Sequence, residues 1–259
     1  MIFHGNSDIG RRRQINQDCF VCMPIWGGEA VLLVVCDGMG GHKAGEIASQ
    51  KAIAAFCDRI VGNPCFEENP QRERDAVMRQ MVIAANEANR LVYKLSHEHE
   101  ELAGMGTTLV ASIVYNNIMY TVNVGDSRAY IVTKREAMQI TQDHSFVQYL
   151  IKEHKLTPEE AKYYPQKNVI TRAIGIGEKV DVDFFSANLV NWGTGYLLLC
   201  SDGLSNYMES GDMIRILCNK DAADRAAPKE EVIRKTDQLI ALANDRGGAD
   251  NITAVIAKF

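Results

Sequence analysis

Three apolar stretches of the chain run into an aspartate. Residues 31–36 (VLLVVC) lead to Asp37-Gly38, residues 120–125 to Asp126, and residues 196–201 to Asp202-Gly203. A fourth aspartate, Asp250, stands just before the last apolar stretch, within Gly247-Gly248-Ala249-Asp250-Asn251. Asp-Gly is a common turn pair and Asp suits strand ends, so turn chemistry accounts for any one of these alone. The joint pattern asks for more. In an antiparallel sheet the end of one strand lies beside the start of its neighbour, so all four carboxylates can meet at one rim. Clustered carboxylates repel, and their ionised forms resist burial, unless a cation neutralises them. An all-oxygen donor set suits a hard ion such as magnesium, calcium or manganese rather than zinc.

The residues around Asp37 sharpen this picture. Residues 37–46 (DGMGGHKAGE) join a strand to a helix and are rich in glycine. They miss the dinucleotide-binding pattern, because Lys43 occupies the third glycine position. They miss the phosphate-loop pattern, because Glu46 follows Gly45 where a lysine belongs. The glycines are better read as letting backbone and carbonyls come close to a metal. His42 is the one histidine beside this loop; the other five read as surface or packing residues. Arg11-Arg12-Arg13 precedes Asn16-Gln17-Asp18, another carboxylate at the mouth of a strand. Such a triplet is commonly a solvated face, yet an arginine beside a metal site is suited to gripping a phosphate through two hydrogen bonds.

The elements that must position these groups show in the hydrophobic pattern. Residues 31–36 read as a buried strand, and residues 46–60 and 73–95 as amphipathic helices with apolar stripes at helical spacing. Residues 107–115, 118–124, 128–133 and 137–141 read as consecutive strands, with Asn116-Asn117 as a hairpin turn. Residues 145–164 read as helical, with Thr157 capping a turn that starts at Pro158. Residues 182–186 and 195–200 return to strand, 213–218 and 230–243 to helix, and 252–259 to a final strand. Helices packed on stacked antiparallel sheets satisfy this order, an α+β layered arrangement.

Composition bounds the rest. The chain has 259 residues, 46% hydrophobic and 24% charged, with a formal net charge of −5. No linker or repeat divides it, so a single domain over residues 1–259 is expected. The net negative charge argues against nucleic acid or an anionic membrane as the main partner. Residues 1–14 lack the apolar core of a signal peptide, and no apolar run approaches the ~20 residues of a membrane span, so a cytoplasmic protein is expected. Seven cysteines cannot all pair, and Cys36 and Cys200 read as small buried hydrophobes. Cys19 and Cys22 form a C-x-x-C with no second pair at metal-binding spacing, which suits a strand better than zinc or redox chemistry.

Taken in order, eight short motifs resemble the bacterial metal-dependent protein serine/threonine phosphatases of type 2C. They are residues 7–10 (SDIG) with Arg13 and Asn16-Gln17-Asp18, residues 35–42 (VCDGMGGH), 104–108 (GMGTT), 123–130 (NVGDSRAY), 141–145 (TQDHS), 168–175 (NVITRAIG), 200–204 (CSDGL) and 250–253 (DNIT). Together they span nearly the whole chain. The resemblance implies a four-layer α-β-β-α sandwich with two central antiparallel sheets flanked by helices. It implies that Asp37 bridges two ions, Mn²⁺ or Mg²⁺, with the Gly38 carbonyl on one of them and Asp202 and Asp250 completing the other. Asp126 matches a position tied to a third, weaker ion. Arg13 matches the phosphate-binding arginine, His42 the general acid, and residues 145–167 a flap that influences substrate choice. Many relatives carry Glu where Gln17 stands; an amide ligates a hard cation weakly, so Asp18 is taken as the retained acid. Asn206 stands where some relatives place another Asp.

The activity so implied is hydrolysis of phosphoserine and phosphothreonine on proteins. Two metals roughly 3.5–4 Å apart share a water and lower its pKa towards neutrality. Arg13 and the ions stabilise the phosphoryl oxygens. His42 or a metal-bound water protonates the leaving oxygen. No cysteine nucleophile is required. The expected partners are proteins phosphorylated by a serine/threonine kinase, the kinase included, and a monomer is expected. The rival readings are a catalytically weak phosphatase-fold regulator that binds phosphoproteins, and a hydrolase of small phosphate esters.

Overall fold

The structure, a computed structural model, describes residues 1–41, 44–161, 163–219 and 227–259. In chain order its first half holds β1 (Ile2–Asp8), β2 (Asp18–Ile25), β3 (Ala30–Met39), α1 (Ala44–Val61), α2 (Pro70–Glu98), β4 (Gly106–Thr107), β5 (Leu109–Tyr115) and β6 (Ile118–Val124). Then come β7 (Arg128–Val132), β8 (Ala137–Gln139), α3 (Phe146–Lys152), α4 (Pro158–Ala161), β9 (Asp183–Asn188), β10 (Tyr196–Cys200), α5 (Asp202–Ser205), α6 (Ser210–Cys218), α7 (Pro228–Asp245) and β11 (Ile252–Lys258).

Strand β3 shows why the layers form. Successive side chains point to opposite faces of a sheet. Val31, Leu33 and Val35 share one face and Leu32, Val34 and Cys36 the other, and all are buried. A strand apolar on both faces has to be covered on both. On one side Leu32, Val34 and Cys36 meet Ala48, Phe56, Met81 and Val92 of α1 and α2. On the other, Val31, Leu33 and Val35 meet Ile131, Leu199 and Val255 of a second sheet. That second sheet turns Leu198, Cys200 and Ile256 outward onto Met213, Leu217 and Leu239 of α6 and α7. Helices, sheet, sheet, helices follow in order: the four-layer sandwich.

Both sheets are antiparallel. One runs β2-β3-β5-β6-β9, with β4 added to β3; the other runs β1-β11-β10-β7-β8. The hairpin between β5 and β6 turns on Asn116 and Asn117, at φ 50° and 60°. Positive φ at both central residues gives the twist a tight hairpin needs. Helix α2 starts three residues ahead of the expected residue 73, because Asn69 accepts from the Gln71 and Arg72 N–H groups at 3.0 and 3.1 Å, with Pro70 as first residue.

Residues 145–164 form two short helices rather than one. The chain turns at His154, at φ 54°, and restarts where Thr157 N–H donates to Glu160 Oε2 at 2.8 Å. Strand β1 was not apparent in the hydrophobic pattern, because only Gly5 of its seven residues is buried. Cys19 packs toward the α1–α2 core and Cys22 toward the core between the sheets. They lie on opposite faces of β2, which rules out a shared ligand or bond.

Candidate active site

The register of the strands collects the acids at one end of the sandwich. Asp18 opens β2 and is the cross-strand partner of Asp37 in β3. Cys200, at the end of β10, lies opposite Arg128 at the start of β7 and Ala254 near the start of β11. Asp202 just after β10, Asp126 just before β7 and Asp250 just before β11 therefore stand together. Strand β3 continues past Asp37 to Met39, further than its apolar run, because Gly38 and Met39 pair with Thr107 and Gly106. Asp37 is thus clamped: its N–H donates to Thr108 Oγ1 and its carbonyl accepts from Thr107 Oγ1, both at 2.9 Å.

A cavity of about 270 Å³ opens here, lined by Asp37, Gly38, Asp126, Asp202, Asp250 and Arg13. Burial and mutual repulsion raise the carboxyl pKa values. Asp37 is held well above the usual range by burial first, then by Asp18, Asp202, Asp126 and Asp250. Asp126 is pushed up to about 7 by burial, with Asp202 and Asp143 adding to it. Asp202 is raised by burial and by Asp250, against a hydrogen bond with Asp37. Asp18 is pushed up to about 7 by burial, although Thr253 and Ser201 hydroxyls donate to its Oδ2 at 2.6 and 2.7 Å. Its other oxygen, Oδ1, is buried and has no hydrogen-bond partner among the described residues. An unpaired buried oxygen among acids that resist ionising is the donor set a hard cation stabilises.

Among the described residues, no group of three or more His, Cys, Asp or Glu side chains is arranged to hold an ion. Magnesium-like ions do not require one, since they keep several waters and take only one or two carboxylates each. The backbone is packed tightly around the acids. A Cβ on Gly38 would lie 2.0 Å from Gly45 O, and one on Gly203 would lie 1.9 Å from Asn251 O. Both positions exclude any side chain.

Arg13 Nη2 donates to Asp250 Oδ2 at 2.8 Å. Burial would lower the Arg13 pKa, but the bond to Asp250 and the charges of Asp37 and Asp202 raise it. Gln17 serves through its backbone: its carbonyl accepts from Gly38 N–H at 3.1 Å and Ser49 Oγ at 2.7 Å. Asn206 Nδ2 donates to Asp202 Oδ2 at 3.2 Å. His42 lies outside the described residues.

Asn251 is a residue whose part the sequence did not disclose. It is buried, its Nδ2 donates to Ile9 O and Ile15 O at 3.0 Å each, and its Oδ1 accepts from Gln17 N–H at 2.8 Å. One amide thus ties the loop carrying Arg13 to the segment carrying Asp250. Beside Asp126 and Asp202 a second cavity of about 640 Å³ opens between residues 145–168 and the α5–α6 region, lined in part by Val147, Ile151, Lys167 and Met208.

Comparison with known proteins identifies the family and the fold. The family model of protein phosphatase 2C matches residues 5–239. The serine/threonine phosphatase stp of Listeria monocytogenes is 34% identical over 252 residues, covering 97% of this chain and 93% of that protein. Protein phosphatase PhpP of Streptococcus pneumoniae is 37% identical over 251 residues, covering 96% and 94%. The crystal structure of the serine/threonine phosphatase Stp1 from Staphylococcus aureus superposes with a TM-score of 0.88 at 34% identity, covering 100% of this chain and 95% of that one. The catalytic domain of the serine/threonine protein phosphatase PstP, in complex with two manganese ions, superposes with a TM-score of 0.76 at 32% identity, covering 98% and 96%. The chain belongs to the protein phosphatase 2C family.

Proposed function

We propose that this protein phosphatase hydrolyses phosphoserine and phosphothreonine on proteins, at a rim that binds two divalent cations, Mn²⁺ or Mg²⁺, with a third, weaker one beside Asp126. The observation that carries this reading is the orphaned Asp18 Oδ1 within a ring of acids whose ionisation burial opposes. The relatives support it, one of them by its two manganese ions.

Asp37, the Gly38 carbonyl, Asp202 and Asp250 would hold the two principal ions, and Asp126 and Asp18 are the remaining acids of the set. When bound, such ions would supply Lewis acidity and a water acidified towards neutrality. The chain's own groups do the rest. Arg13 grips the phosphoryl oxygens through its planar fork, and its tether to Asp250 presets that position. Thr107, Thr108 and Asn251 hold the acid-bearing backbone rigid. His42 is proposed to give the leaving Ser or Thr oxygen its proton.

Residues 1–259 would act as one catalytic domain, with 145–167 as the flap over the 640 Å³ cavity, where substrate residues flanking the phosphate find room. The substrates proposed are proteins phosphorylated by a serine/threonine kinase, the kinase included, and the enzyme would act as a cytoplasmic monomer. Among the described residues no helix is long and apolar enough to cross a membrane. The deciding experiment is a phosphatase assay on a phosphothreonine peptide with Mn²⁺, Mg²⁺ or EDTA. Turnover in either metal and none in EDTA is expected; turnover undiminished by EDTA would overturn the proposal.

A further inference from the structure

His144 sits at the base of segment 145–167, only 8% exposed, and the chemistry above gives it no part. Its bonds are distinctive. Its backbone N–H donates to Gly125 O at 2.9 Å, and its ring Nδ1 accepts from Gly125 N–H at 3.0 Å. One residue therefore grips both peptide groups of Gly125, and Asp126 follows directly. Gly125 is held at φ 110°, where a Cβ would lie 2.6 Å from Thr108 Cγ2, so glycine is required and the turn has little freedom of its own.

The same residue starts the stem of the segment. His144 O accepts from Thr171 N–H at 2.7 Å, Ser145 bridges Ile170, and Phe146 N–H donates to Val169 O at 2.8 Å. The two ends of the segment thus form a short antiparallel stem that rests on the Asp126 turn.

The ring is oriented from its far side. Because Gly125 N–H must donate, Nδ1 carries no proton and the neutral ring has its proton on Nε2. Nε2 faces Asp183 Oδ2 at 3.2 Å, at the start of β9. Arg172, from the other arm of the stem, donates to Asp183 Oδ1 at 2.7 Å and lies 2.9 Å from His144 Nε2. Burial lowers the His144 pKa by more than the bond to Asp183 raises it, in keeping with a neutral ring.

We propose that His144 is a positioning residue that locks the Asp126 turn to the stem of segment 145–167, so that the acid and the segment move as one unit. A substrate that shifts the segment then shifts Asp126 with it. This deepens the proposed function and rests on its reading of Asp126 as a ligand of the weakest ion.

The test compares two variants of the full chain. The side-chain oxygen of an asparagine reaches about where Nδ1 stands, so His144→Asn keeps the acceptor for Gly125. His144→Gln reaches toward Nε2 and loses that acceptor. Hydrogen–deuterium exchange on the metal-free proteins should show faster exchange in His144→Gln around residue 126 and across residues 144–152 together, and near-native exchange in His144→Asn. Exchange that rises in one region alone, or equally in both variants, would overturn the coupling. In calorimetric titration with Mn²⁺, His144→Gln should weaken the weakest site by roughly 10-fold, the low end for groups that orient a ligand, and spare the tighter sites. Equal weakening of every site would overturn it too. Should the native chain take up no Mn²⁺, the metal reading falls, and the exchange comparison still decides the coupling.

Discussion

Arg13 and Asp250 meet across 2.8 Å at the mouth of the acid rim, with 48% and 34% of their side chains exposed. The pair joins the proposed phosphate grip to a proposed metal ligand. Exposed ion pairs contribute little to stability, so the value of this one lies in where it places the guanidinium. Arg13→Ala is expected to leave the fold intact and raise KM for a phosphopeptide roughly 10-fold or more, the worth of a charged hydrogen bond to phosphate. Arg13→Lys should fall between, since a point charge lacks the planar fork. Steady-state kinetics with an unchanged KM would remove Arg13 from the phosphate site.

Asp37→Asn should separate stability from activity. In the metal-free fold the Asp37 pKa lies well above its ordinary value, through burial and the acids around it. Its ionisation therefore opposes folding, and the penalty grows as pH rises from the unfolded pKa of about 4 toward the folded one. Asparagine is neutral at every pH and escapes that penalty. Thermal unfolding in EDTA at pH 8 should give the variant the higher Tm, while phosphatase activity with Mn²⁺ is lost. Mn²⁺ should reverse the order of stability by binding the native protein better. A variant less stable than the native chain in EDTA would contradict the electrostatic reading of the rim.

The convergence of these acids is legible in the sequence for a simple reason. Apolar runs that stop at Asp37, Asp126 and Asp202 are strands ending at a common rim, and the unbroken apolar run of residues 31–36 reads as a buried strand. What was hidden depends on register between distant strands. Asn251 bonds Gln17 across 234 residues, and Thr253 reaches Asp18 across 235. No local pattern announces such contacts. Residues 145–164 read as helical throughout because periodicity does not register a single left-handed residue such as His154. The hidden part is itself testable. Asn251→Ala should cost about 2–3 kcal/mol in urea unfolding, the range for leaving buried polar groups unpaired, and should lower activity with it. Activity lost at undiminished stability would instead mean that Asn251 contacts substrate.

Lys235 is buried at 2% exposure on the helical side of the second sheet, at the end away from the acids. Its Nζ donates to Ile216 O, Leu217 O and Asn219 O at 3.2, 2.6 and 3.2 Å, capping the carbonyls at the end of α6. Lys235→Met would keep the stem and strip the donors. Because the carbonyls stay buried, the expected loss is about 3 kcal/mol, read by urea unfolding, with kcat unchanged. A neutral effect on stability would show that water replaces the ammonium there.

Asp212 controls part of the acid limb of stability. Arg246 donates to both of its oxygens, one at 3.0 Å, and ties the start of α6 to the end of α7 just ahead of the Asp250 loop. That bond is the main cause holding the Asp212 pKa down, to about 2. A depressed carboxylate contributes stability that is fully present above its unfolded pKa of about 4 and disappears as pH falls through the folded value. Asp212→Asn should therefore be less stable than the native chain at pH 6. The two stability curves should converge as pH drops from about 4 toward 2, and the gap at pH 6 should narrow in high salt because Arg246 is exposed. Urea unfolding across pH 2–6 measures this directly. Curves that stay parallel through that window would show that the aspartate acts through packing or capping rather than through its charge.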